Sequence, residues 1–314
     1  MEKKKPFPKI ALGAWAWGND GTFGQSHSAE DMKAVFEAAM KKGLNLWDTA
    51  YVYGMGASEK TLGSFLKGLS RDCYMISDKF TPQCADKNDP DPIGHMLEKQ
   101  YNLLGIHEMD IYWIHNPADA PHYIKALAKY FEGKKRVPLL GVSNHNMAQI
   151  QEAQKILKQH GLKLSAVQNH YSLLHRHSEH SGILDYCKEK GLLFFAYMVL
   201  EQGALSGKYN TKHLFPQGSD RAKAYHNILP KLEPLLQQME EMGKAKGASV
   251  AQIATAWAIS KKTLPIIGVT NIKHVEDAAK SCQIHLDAAE TEALEALASK
   301  AEVNTTRYWE KAME

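Results

Sequence analysis

The chain has 314 residues, of which 44% are hydrophobic and 23% charged, a composition typical of a folded protein with a large apolar core. Its 38 Lys and Arg residues and 35 Asp and Glu residues leave a net charge of +3, with both signs spread along the sequence, so no nucleic-acid partner is expected. The longest apolar run, residues 192–200, is far shorter than the roughly 18 residues of a membrane span, so no membrane association is expected.

Short apolar runs recur along the chain, and each is followed by an amphipathic stretch. They predict eight β-strands, at residues 10–15, 44–47, 73–77, 110–114, 139–142, 165–167, 192–197 and 264–267. All but the last interval between them suit one loop and one helix, an alternation that predicts a parallel sheet. The last interval contains a loop at 201–227 and two helical patterns.

Glycines mark the ends of several predicted helices. Gly43, Gly161 and Gly191 each follow a helical pattern, where a left-handed residue is needed to end the helix. A last helix is predicted at 287–298, and a polar tail follows Ala301. We expect this tail, which contains Arg307, Tyr308 and Trp309, to fold back over the mouth of a barrel formed by the eight strands.

Eight β/α units without an interdomain linker predict one domain over residues 1–314, a (β/α)8 TIM barrel with an extra C-terminal helix and tail. An open doubly wound sheet is the alternative architecture. It requires a glycine-rich phosphate-binding turn after the first strand, and the glycines between residues 13 and 24 match neither the dinucleotide fingerprint nor a P-loop. The barrel is therefore favoured.

The N-terminus and the cysteines give no sign of export. The cluster at residues 3–5 precedes prolines and not an apolar stretch, so it does not predict a signal peptide. The four cysteines are widely spaced, without a C-x-x-C or zinc pattern, and are expected to be reduced thiols. Together these features predict a cytoplasmic protein.

Several histidines raise the question of a metal site, above all His170, His175, His177 and His180. Two-residue spacings in a loop-like stretch are more typical of a solvated surface, and no neighbouring carboxylate pair completes a site. We therefore predict no metal centre. A metal-dependent barrel hydrolase that uses these histidines is a distant alternative.

Polar residues follow nearly every predicted strand. Because the carboxyl ends of barrel strands converge on one mouth, these side chains are expected to meet there. They are Trp17 and Asn19 after the first run, then Asp48, Lys79, His115, Ser143 with Asn144, Gln168 with Asn169, and Tyr197.

Residues 47–54 read WDTAYVYG and continue as MGASE, which resembles the signature of the aldo-keto reductases. Further matching segments are SDK at 77–79, IHNP at 114–117, GVSN at 141–144, VQN at 167–169, GALSGKY at 203–209 and PIIG at 265–268. They follow the family's order over nearly the whole chain. The resemblance implies an NAD(P)H-dependent carbonyl reductase with Asp48, Tyr53, Lys79 and His115 as catalytic residues.

The chemistry of carbonyl reduction agrees with those residue types. The cofactor supplies a hydride to carbon, and the protein must supply a proton to oxygen. We expect Tyr53 to be the proton donor, with a pKa lowered from about 10 by the neighbouring ammonium of Lys79. Asp48 would pair with Lys79, and His115 would donate a hydrogen bond to the carbonyl oxygen.

The same resemblance assigns the cofactor site. Ser143, Asn144 and Gln168 would bind the nicotinamide carboxamide, and Tyr197 would stack on its ring. The phosphates and the adenosine would lie against two turns; the residues expected to hold them are Leu200, Gln202, Gly203, Leu205 and Lys208, then Gly268, Val269, Thr270, Asn271, Lys273, His274 and Asp277. NADPH is the expected cofactor with NADH possible, because Lys273 and His274 are the cations nearest this phosphate-binding segment.

Candidate walls for the substrate pocket are Trp17, Phe80, Asn116 and Trp309. Aromatic walls suit a flat or apolar carbonyl compound, so the expected partner is a small-molecule carbonyl substrate. The chain is expected to be a monomer or a weak homo-oligomer. The alternative function is a cofactor-binding redox sensor or regulatory subunit with the same barrel.

Overall fold

The computed structural model describes residues 7–24, 26–307 and 309–310. Their eight strands pair in parallel and in chain order, and the first strand also pairs with the last, which closes a barrel. The strands are β1 (Ala11–Gly13), β2 (Leu46–Asp48), β3 (Met75–Phe80), β4 (Ile111–Ile114), β5 (Leu139–Ser143), β6 (Leu164–His170), β7 (Leu193–Tyr197) and β8 (Leu264–Gly268). The predicted TIM barrel is confirmed, and closure excludes the open sheet.

Helices connect the strands on the outside of the barrel. They are α1 (Ala29–Lys41), α2 (Ala57–Leu66), α3 (Pro92–Leu104), α4 (Ala120–Phe131), α5 (Met147–Gln159), α6 (His177–His180), α7 (Ile183–Lys190), α8 (Asp220–Tyr225), α9 (Leu229–Lys246), α10 (Val250–Ser260), α11 (Ile272–Ser281) and α12 (Ala288–Lys300). Within the described ranges, none is long and apolar enough to cross a membrane.

Local sequence explains where several of these helices begin and end. Side chains of Asn146, Ser249 and Asp287 start α5, α10 and α12 by accepting a hydrogen bond from the third helical residue, in full capping boxes. The predicted terminal glycines have positive φ, for example 65° at Gly191 after α7, a conformation that other residues adopt only with strain.

The barrel interior is filled by side chains from alternate strand positions, so it is a packed core and not a channel. Trp113 and Phe195 meet edge to face there with ring centroids 5.1 Å apart, and Phe7 covers Phe195 from the N-terminal side. A Cβ on Gly141 would lie 2.2 Å from the Trp113 ring, so this strand position accepts only glycine. Because the interior is filled, chemistry is confined to the mouth.

The first predicted strand is longer than the observed one. β1 ends at Gly13, and Trp15–Gly18 form a 3-10 turn that leads across the mouth. The cationic cluster at residues 3–5 lies outside the described residues.

Candidate active site

A buried ion pair joins the ends of two neighbouring strands. Asp48 ends β2 and Lys79 lies near the end of β3, and the Lys79 ammonium contacts Asp48 Oδ1. The ammonium also donates to the Thr49 carbonyl oxygen at 2.8 Å and to the Tyr53 hydroxyl at 3.2 Å. All of its hydrogen-bonding capacity is therefore directed at three fixed acceptors.

The second oxygen of Asp48 is also anchored. Oδ2 accepts hydrogen bonds from the Ser77 hydroxyl at 2.7 Å and from the Gln168 amide at 3.2 Å. Ser77 in turn accepts from the Trp113 indole N–H at 2.7 Å. These contacts fix the carboxylate, and through it the ammonium.

The buried ammonium stays protonated because its partners outweigh the cost of desolvation. Burial lowers the pKa of Lys79, but the charge of Asp48 and the hydrogen bonds to Asp48 and Tyr53 raise it, and the result lies above the usual value. Lys79 is therefore a cation at neutral pH.

Tyr53 lies in the turn between β2 and α2, with its hydroxyl pointing at the ion pair. Its ring stacks on Trp15 at 5.4 Å and meets the His115 ring edge to face at 5.9 Å. A Cβ on Gly18 would lie 2.5 Å from the Tyr53 carbonyl oxygen, so the Trp15–Gly18 turn packs backbone to backbone against this loop.

The expected lowering of the Tyr53 pKa is not what the structure gives. Burial raises the pKa of Tyr53, and Lys79 opposes that rise without cancelling it, since Asp48 lies beside the same ammonium. The phenol therefore keeps its proton at neutral pH, which is the state of a proton donor.

His115 follows β4, and contacts to its backbone and to its ring hold it in place. Its backbone N–H donates to the Phe80 carbonyl oxygen at 2.9 Å, and Nδ1 lies 2.8 Å from the Thr81 hydroxyl. Burial, and secondly the charge of Lys79, lower the pKa of His115 well below its usual value. The ring is therefore a neutral imidazole beside Tyr53.

Three of the residues predicted to hold a nicotinamide lie together at the ends of β5 and β7. Asn144 has a φ of 62° and donates from Nδ2 to the His115 carbonyl oxygen at 2.9 Å. Its Oδ1 lies 2.5 Å from the Tyr197 hydroxyl, and Nδ2 lies 3.3 Å from the Ser143 hydroxyl. The fourth, Gln168, lies on β6 and is hydrogen-bonded to Asp48.

The turn after β7 carries backbone conformations that side chains rarely adopt. Met198, Glu201 and Gln202 have φ values of 60°, 46° and 51°. Both polar atoms of the Gln202 amide are buried without a hydrogen-bond partner, an unfavourable state that a bound polar ligand would relieve. Of the other residues predicted here, Gly203 lies in the turn, Leu205 packs in the core with Leu200 partly buried against it, and Lys208 lies over the Tyr209 ring.

The turn after β8 leads directly into α11. Asn271 begins this helix by accepting from the His274 backbone N–H at 3.0 Å, and the His274 ring accepts from the Thr270 N–H at 3.2 Å. Lys273 has a side chain 72% exposed and lies 2.9 Å from Asp277. Gly268 ends β8, and Val269 is fully buried.

Two of the predicted pocket walls lie elsewhere. Trp17 is only 1% exposed, packs on Trp47, and donates its indole N–H to the Val269 carbonyl oxygen. Phe80 is fully buried against Tyr123 on α4. These two predictions are wrong, because both side chains point into the core between strands and helices.

Trp15, which the sequence pattern placed inside a strand, lies beside Tyr53 instead. Trp309 meets it edge to face at 5.9 Å. Asn116 lies at the rim, where its side chain exchanges hydrogen bonds of 2.8 and 3.3 Å with Gln83. Trp15, Tyr53 and Trp309 thus form one aromatic surface at the mouth, and we call it the aromatic wall.

The described part of the C-terminal tail folds back over the mouth, as predicted. Thr305 is buried and donates to Glu201 at 3.2 Å, and the Glu310 carboxylate accepts from the Tyr197 hydroxyl at 2.8 Å. Tyr308 and residues 311–314 lie outside the described residues.

The expectation of a solvated histidine surface is half wrong. His177 and His180 are exposed, but His170 is fully buried and His175 stacks on it with ring centroids 4.0 Å apart. The carboxylates of Glu201 and Glu310 lie on either side of His170. Because both residues are far from His170 in the sequence, no local sequence pattern could predict these contacts.

Comparison with known proteins shows the family to which the chain belongs. The sequence model of the Aldo/keto reductase family matches residues 9–299. A chloroplastic pyridoxal reductase of Arabidopsis thaliana is 33% identical, over 85% of this chain and 77% of the relative. The aldo-keto reductase yakc [NADP(+)] of Schizosaccharomyces pombe is 28% identical, over 95% of this chain and 91% of the relative.

Solved structures of similar proteins have the same fold. An aldo-keto reductase from Klebsiella pneumoniae, solved in complex with NADPH, is 27% identical with a TM-score of 0.70, covering 92% of this chain and 90% of that one. A glycerol dehydrogenase of Gluconobacter oxydans is similar in fold, with a TM-score of 0.82 at 23% identity over 98% and 96% of the two chains. The chain belongs to the aldo/keto reductase family, a family of oxidoreductases.

Proposed function

We propose that this protein reduces aldehydes or ketones to alcohols with NADPH, with Tyr53 as the proton donor. The observation that carries the proposal is the buried Lys79 ammonium, which contacts the Asp48 carboxylate and the Tyr53 hydroxyl while neutral His115 lies edge to face against the same tyrosine. A proton donor, a cation and a second hydrogen-bond donor around one point are what reduction of a carbonyl group requires, and these contacts support that division of roles.

The side chains divide the work as follows. When bound, the cofactor supplies a hydride to the carbonyl carbon. Tyr53 transfers its proton to the carbonyl oxygen, and the Lys79 ammonium stabilises the phenolate that remains. The Thr81 hydroxyl can donate to Nδ1 of His115, which leaves the His115 proton on Nε2, free to donate to the same oxygen.

The residues present fit a nicotinamide dinucleotide. Asn144 and Tyr197 lie side by side beyond His115, and the unpartnered Gln202 amide lies in the next turn. The N-terminal end of α11 offers further backbone N–H groups and nearby cations for phosphates. The Klebsiella relative binds NADPH and the yeast relative is named for NADP(+), which supports the same cofactor here.

Purified protein tests the proposal by its NADPH oxidation with a panel of aldehydes, quinones and keto-steroids. We expect one alcohol formed per NADPH oxidised with at least one class. Tight NADPH binding without turnover of any member would favour the redox sensor or regulatory subunit. Loss of turnover with a chelator would favour a metal-dependent enzyme.

Lys273 is expected to set the preference for NADPH over NADH. The extra phosphate of NADPH carries nearly two negative charges, and the exposed Lys273 ammonium can leave Asp277 to pair with it. Lys273→Ala should weaken NADPH binding roughly 10-fold and leave NADH binding unchanged. Titration by protein fluorescence measures the affinities for NADPH and for NADH. Lys280→Ala, near the end of the same helix, is the control.

The NADPH preference should also shrink as salt rises, because the contact lies at the surface. Equal affinity of the unaltered protein for both cofactors would contradict the role of Lys273. Thr270 and Asn271 would then be ribose ligands of an enzyme that uses either cofactor.

The aromatic wall indicates a substrate with a planar ring. Trp15 stacks on the Tyr53 ring and Trp309 meets Trp15 edge to face. The Arabidopsis relative is named a pyridoxal reductase, so a heteroaromatic aldehyde is the first probe. We expect Trp309→Ala to raise KM for aromatic aldehydes about 2- to 10-fold and to leave KM for propanal unchanged. Equal changes for both substrates would contradict a ring-binding wall.

The cellular compartment stays a prediction. The widely spaced cysteines without a metal or redox motif favour a reducing compartment such as the cytoplasm, whereas the Arabidopsis relative is named chloroplastic.

A further inference from the structure

The tail places a carboxylate inside the protein, next to the proposed nicotinamide site. Glu310 is only 2% exposed. Its Oε1 lies 2.9 Å from His170 Nδ1 and 2.8 Å from the Tyr197 hydroxyl, and its Oε2 accepts from the Arg307 backbone N–H at 2.8 Å. A buried carboxylate is tolerated only when it is paired in this way, so these partners specify its position.

His170 supplies the positive charge that holds this carboxylate. Its Nε2 lies 2.8 Å from Glu201, which also accepts from the Tyr225 hydroxyl at 2.8 Å. Burial lowers the pKa of His170, but the two carboxylates outweigh burial and raise it to about 9. His170 is thus an imidazolium between two carboxylates, and it fastens the tail to the end of β6.

A metal ion is a weaker explanation of the same cluster. Ligand atoms of His170, His175 and Glu310 lie within 4.8 Å of one another. The two imidazole rings are parallel to within 5°, with centroids 4.0 Å apart. Ring lone pairs lie in the ring plane, so one ion cannot lie in the planes of both rings, whereas an imidazolium bridge needs only His170.

The carboxylate is connected to the catalytic residues through two side chains. The Tyr197 hydroxyl lies between Glu310 Oε1 and Asn144 Oδ1, at 2.8 and 2.5 Å. Asn144 in turn holds the backbone carbonyl of His115 at 2.9 Å. The position of the Tyr197 hydroxyl, and with it the placement of the side chain, therefore depends on an anchor that the tail provides.

We propose that Glu310 is a positioning residue, which fixes the Tyr197 ring against the nicotinamide and couples docking of the tail to cofactor binding. This inference rests on the proposed cofactor site. A carboxylate that holds the hydroxyl restricts swinging of the Tyr197 side chain about its Cα–Cβ bond, and the position of the ring determines where the reactive nicotinamide carbon lies relative to Tyr53. Glu310 thereby acts on hydride transfer through Tyr197 and does not itself touch the substrate.

The test compares Glu310→Ala with Glu302→Ala, a change of an exposed carboxylate in the same tail. We expect Glu310→Ala to raise the Kd for NADPH and to lower the single-turnover rate of NADPH oxidation, each roughly 10-fold. Glu302→Ala should match the unaltered protein in both. The Kd is read from protein fluorescence, so it needs no turnover.

Tyr197→Phe distinguishes positioning from a loss of folding, because it removes only the hydroxyl and keeps the ring. If Glu310 acts through Tyr197, the double variant should be no worse than Glu310→Ala alone in Kd and rate. Additive losses in the double variant would overturn the inference, as would a Glu310→Ala protein with normal Kd and normal rate. Either of these two results would overturn the inference and leave the proposed function unaffected. The proposed function itself would be contradicted if the unaltered protein bound NADPH and reduced no carbonyl compound.

Discussion

Tyr53→Phe is expected to lower kcat about 10²- to 10⁴-fold while the affinity for NADPH stays nearly unchanged. The hydroxyl is the group that contacts Lys79 at 3.2 Å, whereas the ring keeps its stacking on Trp15. Steady-state kinetics with an aldehyde, together with a fluorescence titration of NADPH, measures the two effects separately.

Tyr51→Phe is the matched control for that experiment. Tyr51 lies two residues earlier in the same turn, and its ring lies under the Lys99 ammonium at 4.4 Å, away from the ion pair. Loss of the Tyr51 hydroxyl should leave kcat within a few-fold of the value for the unaltered protein. Near-normal turnover by Tyr53→Phe would remove Tyr53 as the proton donor, and a large loss in Tyr51→Phe would move the role to that residue.

Lys79→Met is expected to cost both activity and stability. The phenolate loses its cation, so kcat should fall to a similar extent as in Tyr53→Phe. The Asp48 carboxylate is left buried without its ion pair, which destabilises a protein by about 3–5 kcal/mol. Urea denaturation measures the free energy of unfolding, and steady-state kinetics measures kcat.

The double variant Asp48→Asn with Lys79→Met separates the two effects. Asparagine removes the unpaired charge, so much of the lost stability should return, whereas activity should not. A double variant that regained turnover would show that the ammonium is dispensable, and a stable, active Lys79→Met would contradict the account of the ion pair.

The barrel was predictable because its signals are local. Each strand is a short apolar run, and the residue that ends it lies at the mouth by topology alone, as Asp48 and Lys79 do. No long-range contact has to be known to reach this result. Periodicity therefore places Asp48, Lys79 and His115 at the mouth, whereas a catalytic role for them and for Tyr53 is what the family resemblance implies.

Reasoning from strand periodicity failed for the two tryptophans that follow the first strand. Trp17 was predicted at the pocket wall, but it is Trp15 that lies beside Tyr53. Alternation of side chains holds only inside a strand, and β1 ends at Gly13, before either tryptophan. The 3-10 turn that follows directs Trp15 to Tyr53 and Trp17 into the core. Which ring faces the mouth depends on a turn that the apolar pattern does not reveal.

The other failures concern burial and distant partners. The charge of Lys79 was visible in the sequence, but the desolvation that raises the pKa of Tyr53 was not. The cluster of His170, Glu201 and Glu310 joins three segments that are far apart in the chain. A loop-like stretch of histidines gives no local sign that one of them is an enclosed imidazolium.

A single-turnover experiment tests the central claim most directly. The protein, loaded with one equivalent of NADPH at a concentration well above the Kd, is mixed with excess aldehyde at neutral pH, and NADPH absorbance and alcohol are followed together in the unaltered protein and in Tyr53→Phe. The account predicts that one NADPH is consumed and one alcohol formed per protein molecule in both, at a rate about 10²- to 10⁴-fold lower in the variant. It would be contradicted if the unaltered protein bound NADPH and formed no alcohol, or if both proteins reacted at the same rate.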